Sequence, residues 1–366
     1  MKKFSLILSL ILIISLLAGC AGTPVVYYTN CTCPASVHED APTPAPTAAP
    51  AANEEPALTE GALKTGLVIS TSLKDSKAAS ADSEGEAKYD VTMVAVLVDD
   101  NGTIRDCIID GIASSVKFDT TGTITTDLAA APQTKNELGE NYGMVAWGGA
   151  IAEWDAQAAA LANFAVGKTV EELKSGAVSE TGYAPEGSDL ATSATIYLGG
   201  YVSAIEAAVA NAQHLGAQTG DALKMGTVID LGDSTAATAE SAGNAQLNVD
   251  VTALTLNGET ITSCVIDSVQ AKVAFDATGA VTSDVTTPVA TKNELGSSYG
   301  MVAWGGAIAE WNEQAAAFAA YITGKTPAEV SGIAITEATK PADADLAASV
   351  TISVIGFMNL IAKAAK

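Results

Sequence analysis

The chain has 366 residues, with 18 Lys or Arg against 42 Asp or Glu, and a formal net charge of −24 at pH 7. The length sets an expectation of two or three domains. The charge excludes nucleic acid, and equally an anionic membrane surface held by electrostatics, as main partners. Aromatic residues make up only 5% while Ala and Gly abound, so the core is expected from small aliphatic side chains around a few large anchors.

Lys2 and Lys3 precede an apolar run, Phe4 to Leu17, that is too short for a comfortable membrane span. The run ends in Leu17-Ala18-Gly19-Cys20, which resembles the lipobox of bacterial lipoproteins. The resemblance implies that residues 1–20 are a leader and that Cys20 is lipidated. It places the protein on the extracytoplasmic face of the cell membrane, anchored through that lipid. Losing Lys2 and Lys3 with the leader takes the charge from −24 to −26. Residues 21–60 include APTPAPTAAPAANEEPA and read as a Pro/Ala/Thr-rich tether. At roughly 3 Å per residue it would reach up to about 100 Å. Cys31 and Cys33 lie in it, and a lone C-x-C pattern is compatible with a metal or a disulfide.

From there the chain states one domain twice, over 61–213 and 221–366. Each copy opens with a strand-like run, LKTGLVIS at 63–70 or LKMGTVID at 223–230, followed by a polar loop. A hairpin comes next: Val91 to Val98 and Ile104 to Ile109 flank Asn101-Gly102, and Val249 to Leu256 and Ile261 to Ile266 flank Asn257-Gly258. Asn-Gly between β-rich runs supplies the positive φ that tight hairpins need. Cys107 and Cys264 sit in these runs and read as buried small hydrophobes rather than redox groups. FDTTGTI at 118–124 and FDATGAV at 275–281 read as a second tight turn.

The block TKNELGENYGMVAWGGAIAEW, Thr134 to Trp154, returns as Thr291 to Trp311 with changes only at Glu140 and Asn141, which become Ser297 and Ser298. TKNELG reads as a polar connector. A helix is expected from Gly143, with an apolar stripe at Ile151, Trp154, Ala158, Leu161 and Ala165, repeated at Ile308, Trp311, Ala315, Phe318 and Ile322. Gly167 and Gly324 are natural helix ends. The alternation in DLATSATIYLGGY and DLAASVTISVIGF suggests a strand, and an Ala-rich helix closes each copy. The expected class is α+β: two tandem homologous domains, each a small antiparallel sheet with packed helices.

Histidine narrows the chemistry, because only His38 and His214 exist: one in the tether, the other at the junction of the copies. Ser-His-Asp and Cys-His sets and His-based zinc sites are thereby excluded within a domain, and no phosphate-binding Gly-rich fingerprint appears. No catalytic residue and no metal site is expected, and the calcium-like spacing at Asp99 to Asp106 reads as a turn. All four tryptophans, Trp147, Trp154, Trp304 and Trp311, fall in the repeated block. Each pair is seven apart, hence on one face of a continuous helix, beside Gly148-Gly149 or Gly305-Gly306. They read either as an aromatic wall for a planar ligand or as two core anchors. Lys135, Glu137, Tyr142 and Glu153, with partners Lys292, Glu294, Tyr299 and Glu310, read either as a loop clamp or as ligand contacts.

Asp189-Leu190-Ala191-Thr192-Ser193-Ala194-Thr195 resembles the flavin-attachment motif of the FMN-binding domain family, Asp-x-x-Ser/Thr-Gly-Ala-Thr. The resemblance implies FMN joined through its phosphate to Thr195 by a flavin transferase, with Asp189 as the motif acid and Thr192 beside it. Trp147 or Trp154 would wall the flavin. In the second copy Asp345, Thr351, Trp304 and Trp311 would take those places. The implied role is a surface electron carrier working with a redox partner; the alternative is a non-enzymatic ligand-binding or structural lipoprotein with no flavin. Ser193 replaces the motif's Gly, and the second copy departs further, with Val350 where the first has Ala194. Thr195 and Thr351 also read as ordinary strand threonines. Along most of its length the chain is similar to uncharacterised surface lipoproteins of anaerobic Gram-positive bacteria, distantly similar to a spirochaetal membrane-anchored immunogen.

Overall fold

In the run Val91–Val98 both odd and even positions are apolar, and the fold buries both sets. Ala87, Tyr89, Val91, Met93, Ala95 and Leu97 point into one core, while Val94, Val96 and Val98 point into another. This is the period of two of a β-strand whose sheet is covered on both faces. The computed structural model describes residues 61–366; the leader, Cys20, the tether, Cys31 and Cys33 lie outside the described residues.

The first repeat runs β1 (Ala62–Ser72), β2 (Gly85–Val98), β3 (Ile104–Phe118), α1 (Lys135–Leu138), α2 (Met144–Gly148), α3 (Trp154–Ala165), α4 (Val170–Ala177) and α5 (Gly199–Ala210). β4 (Gln213–Gln218) leads to the second: β5 (Ala222–Asp230), β6 (Gly243–Asn257), β7 (Thr260–Phe275), α6 (Lys292–Leu295), α7 (Met301–Gly305), α8 (Trp311–Ile322), α9 (Pro327–Ser331), α10 (Ala344–Ala347) and α11 (Ile355–Ala364). The sheets have strand orders β3-β2-β1-β4 and β5-β6-β7, antiparallel throughout. The class is α+β, as the sequence implies. Both hairpins form, with Gly102 at φ 77° and Gly258 at φ 60°.

Each repeat keeps its own core between sheet and helices, and a third core is shared between the repeats. Their sheets pack face to face around one shared core, and each outer face is covered by that repeat's helices, giving four layers. A pseudo-twofold axis relates the halves. Near it Phe118 and Phe275, both fully buried, stack with centroids 4.0 Å apart and planes 4° from parallel. The Asp-x-x-Gly turns lock the same contact reciprocally: Ala79 N donates to Gly279 O at 2.8 Å and Ala237 N to Gly122 O at 2.9 Å. A Cβ on Gly122 would lie 2.7 Å from Ala237 Cβ, so these turns demand glycine for close approach as well as for φ.

Three local expectations are corrected. The helix after Gly143 is not continuous: α2 ends at Gly149 (φ 63°) and α3 begins at Trp154, so Ile151 and Ile308 lie outside any helix and are exposed. The rest of the stripe is buried as expected. TKNELG is a capped helical turn, not a connector, with Thr134 and Glu137 capping each other reciprocally, as do Thr291 and Glu294. Neither DLATSATIYLGGY nor DLAASVTISVIGF is a strand. Leu190, Ala194 and Leu198 are the buried anchors of the first, spaced by four rather than two, and Gly199 opens α5.

Candidate functional site

Gly143 (φ 81°) and Gly149 (φ 63°) bracket α2, a single turn that projects from the helical layer as a knuckle. Its exposed start is held from below by Glu153, whose carboxylate accepts from Met144 N at 2.8 Å and Val145 N at 2.9 Å. Glu310 does the same in the second repeat, at 2.8 and 3.1 Å. A carboxylate on two orphan N–H groups at a helix start is favoured by both hydrogen bonding and the helix dipole. The Trp147 ring lies back over Gly143, where a Cβ would come within 2.7 Å of Cε3. The ring is nonetheless 86% exposed, and its counterpart Trp304 is 85% exposed. Val145 and Ile151 are exposed beside Trp147, as are Val302 and Ile308 beside Trp304.

The other two tryptophans do a different job, which corrects the expectation that each pair shares a face. Trp154 and Trp311 are buried anchors of the helical layer. Trp154 Nε1 donates to the Tyr201 hydroxyl at 3.0 Å, and Trp311 meets Phe357 edge-on. The lysines are clamps: Lys135 Nζ sits 4.9 Å from the Trp154 ring centroid, and Lys292 Nζ 4.6 Å from that of Trp311. Burial lowers the Lys292 pKa below the ordinary lysine range. These cation–π contacts lie beneath the knuckle, not on its outer face.

Thr195 is on an exposed loop. Its N–H donates to Gln157 Oε1 at 2.7 Å, and its hydroxyl donates to the same atom at 3.3 Å. Gln157 is fully buried, also accepts from Ile196 N, and donates to Ala152 O. Thr351 and Gln314 repeat the arrangement. Sequence reasoning missed these glutamines; the signal was a Gln three residues after the anchor Trp in an Ala-rich helix, present in both copies. Thr192 closes a turn by donating to Asp189 O at 2.6 Å, while Asp189 and Asp345 are exposed. The Thr195 side chain is exposed, with its hydroxyl bonded to Gln157. Of the tryptophans expected to wall a flavin, Trp154 and Trp311 are buried in the helical layer, while Trp147 and Trp304 keep exposed rings.

Two clefts lie where the repeats meet, exchanged by the pseudo-twofold. The larger, about 770 Å³, is lined by Leu67, Asn211 and Gln213 from the first repeat and by Asp267, Thr291, Asn293, Glu294 and Asn312 from the second. The smaller, about 360 Å³, has Asp110, Thr134, Asn136 and Glu137 facing Met225, Thr227 and Lys363. Asp267 Oδ1 accepts from Ser268 N and Asn293 N, tying β7 to α6, and burial pushes its carboxyl up to about 6. Burial likewise pushes the Cys107 and Cys264 thiols up to about 12, in keeping with their reading as core residues. Among the described residues no cluster of three or more His, Cys, Asp or Glu side chains could hold a metal. No known family, curated protein or solved structure matches the chain.

Proposed function

We propose that the chain is a non-enzymatic binding protein that grips a partner protein of the cell envelope through two tryptophan knuckles on one rigid body. The observation that carries this is the solvent exposure of Trp147 and Trp304, 86% and 85%, on identically braced turns. Tryptophan is the residue most enriched at binding hot spots, and burying it on a partner recovers a large apolar area. The segment Gly143–Ala152 has no charged side chain, and the indole N–H is the single hydrogen-bonding group of its side chains. That chemistry suits an apolar pocket on a protein better than a glycan, which asks for a polar rim. Two knuckles on a shared core make the second contact intramolecular, so avidity follows without further contacts. The expected lipid on Cys20 would hold the molecule beside such a partner.

The test is co-sedimentation of residues 21–366 with envelopes of the source cell. Trp147→Ala and Trp304→Ala are each expected to weaken binding by about 100-fold, and the double variant to abolish it. Protease treatment of the envelopes should remove the binding. Retention by the double variant sinks the reading, and loss on digestion of the wall glycan instead of the protein overturns the partner class.

A flavin carrier is the second reading, supported by the exposed Thr195 side chain and the Asp189–Thr195 resemblance. Co-expression with a flavin transferase, followed by intact mass and visible absorption, tests it. An added FMN mass that Thr195→Ala abolishes would establish it, and a chain of unchanged mass would remove it. Thr351→Ala should halve the flavin content only if both repeats are loaded.

A further inference from the structure

The two clefts between the repeats share an Asp, a Thr, an Asn and a Glu at equivalent positions, but only the smaller one is lined by lysines. In the smaller cleft, Lys363 reaches from α11 across the repeat boundary and places Nζ 2.5 Å from Glu137 Oε1. The residue equivalent to Lys363 in the first repeat is Ala207: Ile205-Glu206-Ala207-Ala208 aligns with Ile361-Ala362-Lys363-Ala364, and the flanking Ile and Ala are buried in both. Alanine cannot span the boundary. The larger cleft therefore presents Glu294, the counterpart of Glu137, with no lysine or arginine along its lining. A second observation points the same way: Asn312 lines this cleft, and its Oδ1, shielded from solvent, has no hydrogen-bond partner.

We infer that the larger cleft is a binding site for a primary ammonium group on an aliphatic stem, seated on Glu294 as Lys363 is seated on Glu137. Lys363 is the molecule's own template for the ligand. Its stem crosses the cleft past Gly226 and Thr227, and the corresponding wall in the larger cleft, Leu67 to Ile69, is more apolar. Three N–H donors on an ammonium match acceptors at Glu294 and Asn312. The roughly doubled volume leaves room for the body of the ligand beyond its stem. The cleft and the knuckles use different residues, so either conclusion can fail without the other.

Chemical-shift titration of residues 21–366 tests it, using Nα-acetyl-lysine methylamide for a peptide-borne amine and 1,5-diaminopentane for a free one. Nα-acetyl-norleucine methylamide is the neutral control. At least one amine is expected to shift the amides of Asn293, Glu294 and Asn312 saturably, with the control at least tenfold weaker. Whichever amine binds more tightly identifies the source. Glu294→Gln should weaken binding at least tenfold while keeping the fold, because Gln also completes the capping box with Thr291. Ala207→Lys should block the site by supplying the missing side chain. Unchanged binding in both variants, or equal binding of the neutral control, overturns the inference, as does failure of both amines to bind.

Discussion

Truncating one ring of the Phe118–Phe275 stack measures how far the two repeats are a single folding unit. Both rings are fully buried and contact each other at 4.0 Å between centroids. Each also lies on a glycine of its own sheet: a Cβ on Gly85 would fall 2.2 Å from Phe118 Cε2, and one on Gly243 2.4 Å from Phe275 Cζ. No side chain at those glycines can collapse into the space a missing ring leaves. Phe118→Ala should therefore cost about 3–5 kcal/mol, near the upper end of that range. The change is made in the first repeat, yet half of the stack belongs to the second. Urea unfolding followed at Trp154 and at Trp311, each isolated by replacing the other tryptophans with Phe, should show both midpoints falling together. The double variant should lose less than the sum of the singles by about 0.5–1.5 kcal/mol, since the second truncation removes a ring already deprived of its partner. A loss confined to the Trp154 signal, or a cost below about 1 kcal/mol, would refute the shared core.

Asp267→Asn tests the buried acid. The folded carboxyl titrates at about 6 against an ordinary 3.8, because burial disfavours its charge. A raised folded pKa contributes stability at low pH that is lost as pH rises through about 6. The neutral Asn escapes that loss, so between pH 4 and pH 7 the variant should gain on wild type by on the order of 3 kcal/mol. A stability gap that does not change with pH would rule this out. Gly66→Ala would push a Cβ to 2.1 Å from Ala208 O and should lower stability by about 1–3 kcal/mol or more, read as the urea midpoint. Glu153→Ala removes the brace under the first knuckle. Hydrogen exchange at Met144 and Val145 should speed up about fivefold or more, for a local loss of about 1 kcal/mol, with the global midpoint almost unmoved.

The hairpins were legible because Asn-Gly at Asn257-Gly258 and Asn101-Gly102 needs nothing beyond local backbone geometry. The buried halves of the helical stripes were legible for the same reason: Trp154, Ala158, Leu161 and Ala165 follow the helical period whatever they pack against. Face-to-face packing of the sheets was not legible. A strand apolar on both faces, such as Val91–Val98, reads the same whether its second cover is helix or sheet. The division of labour between Trp147 and Trp154 was hidden by a spacing of seven, which fits one continuous helix. Gly149, at φ 63°, ends that helix between the two rings, a stop that the spacing alone does not reveal. The loop at Thr195 mimicked a strand by alternation, while its amide was committed to Gln157, a long-range partner that no local pattern announces. The clefts required knowing that α11 of one repeat faces α1 of the other.

The proposed grip makes Trp147 and Trp304 the contact points. Fluorine NMR of 5-fluorotryptophan-labelled residues 21–366 reads all four rings at once. Four resonances are expected: two responsive to a soluble paramagnetic relaxation agent, from Trp147 and Trp304, and two protected, from Trp154 and Trp311. On adding detergent-solubilised envelope protein of the source cell, the responsive pair should broaden or shift and become protected while the other pair stays put. An unchanged responsive pair in the presence of bound envelope protein would show that the knuckles are not the contacts.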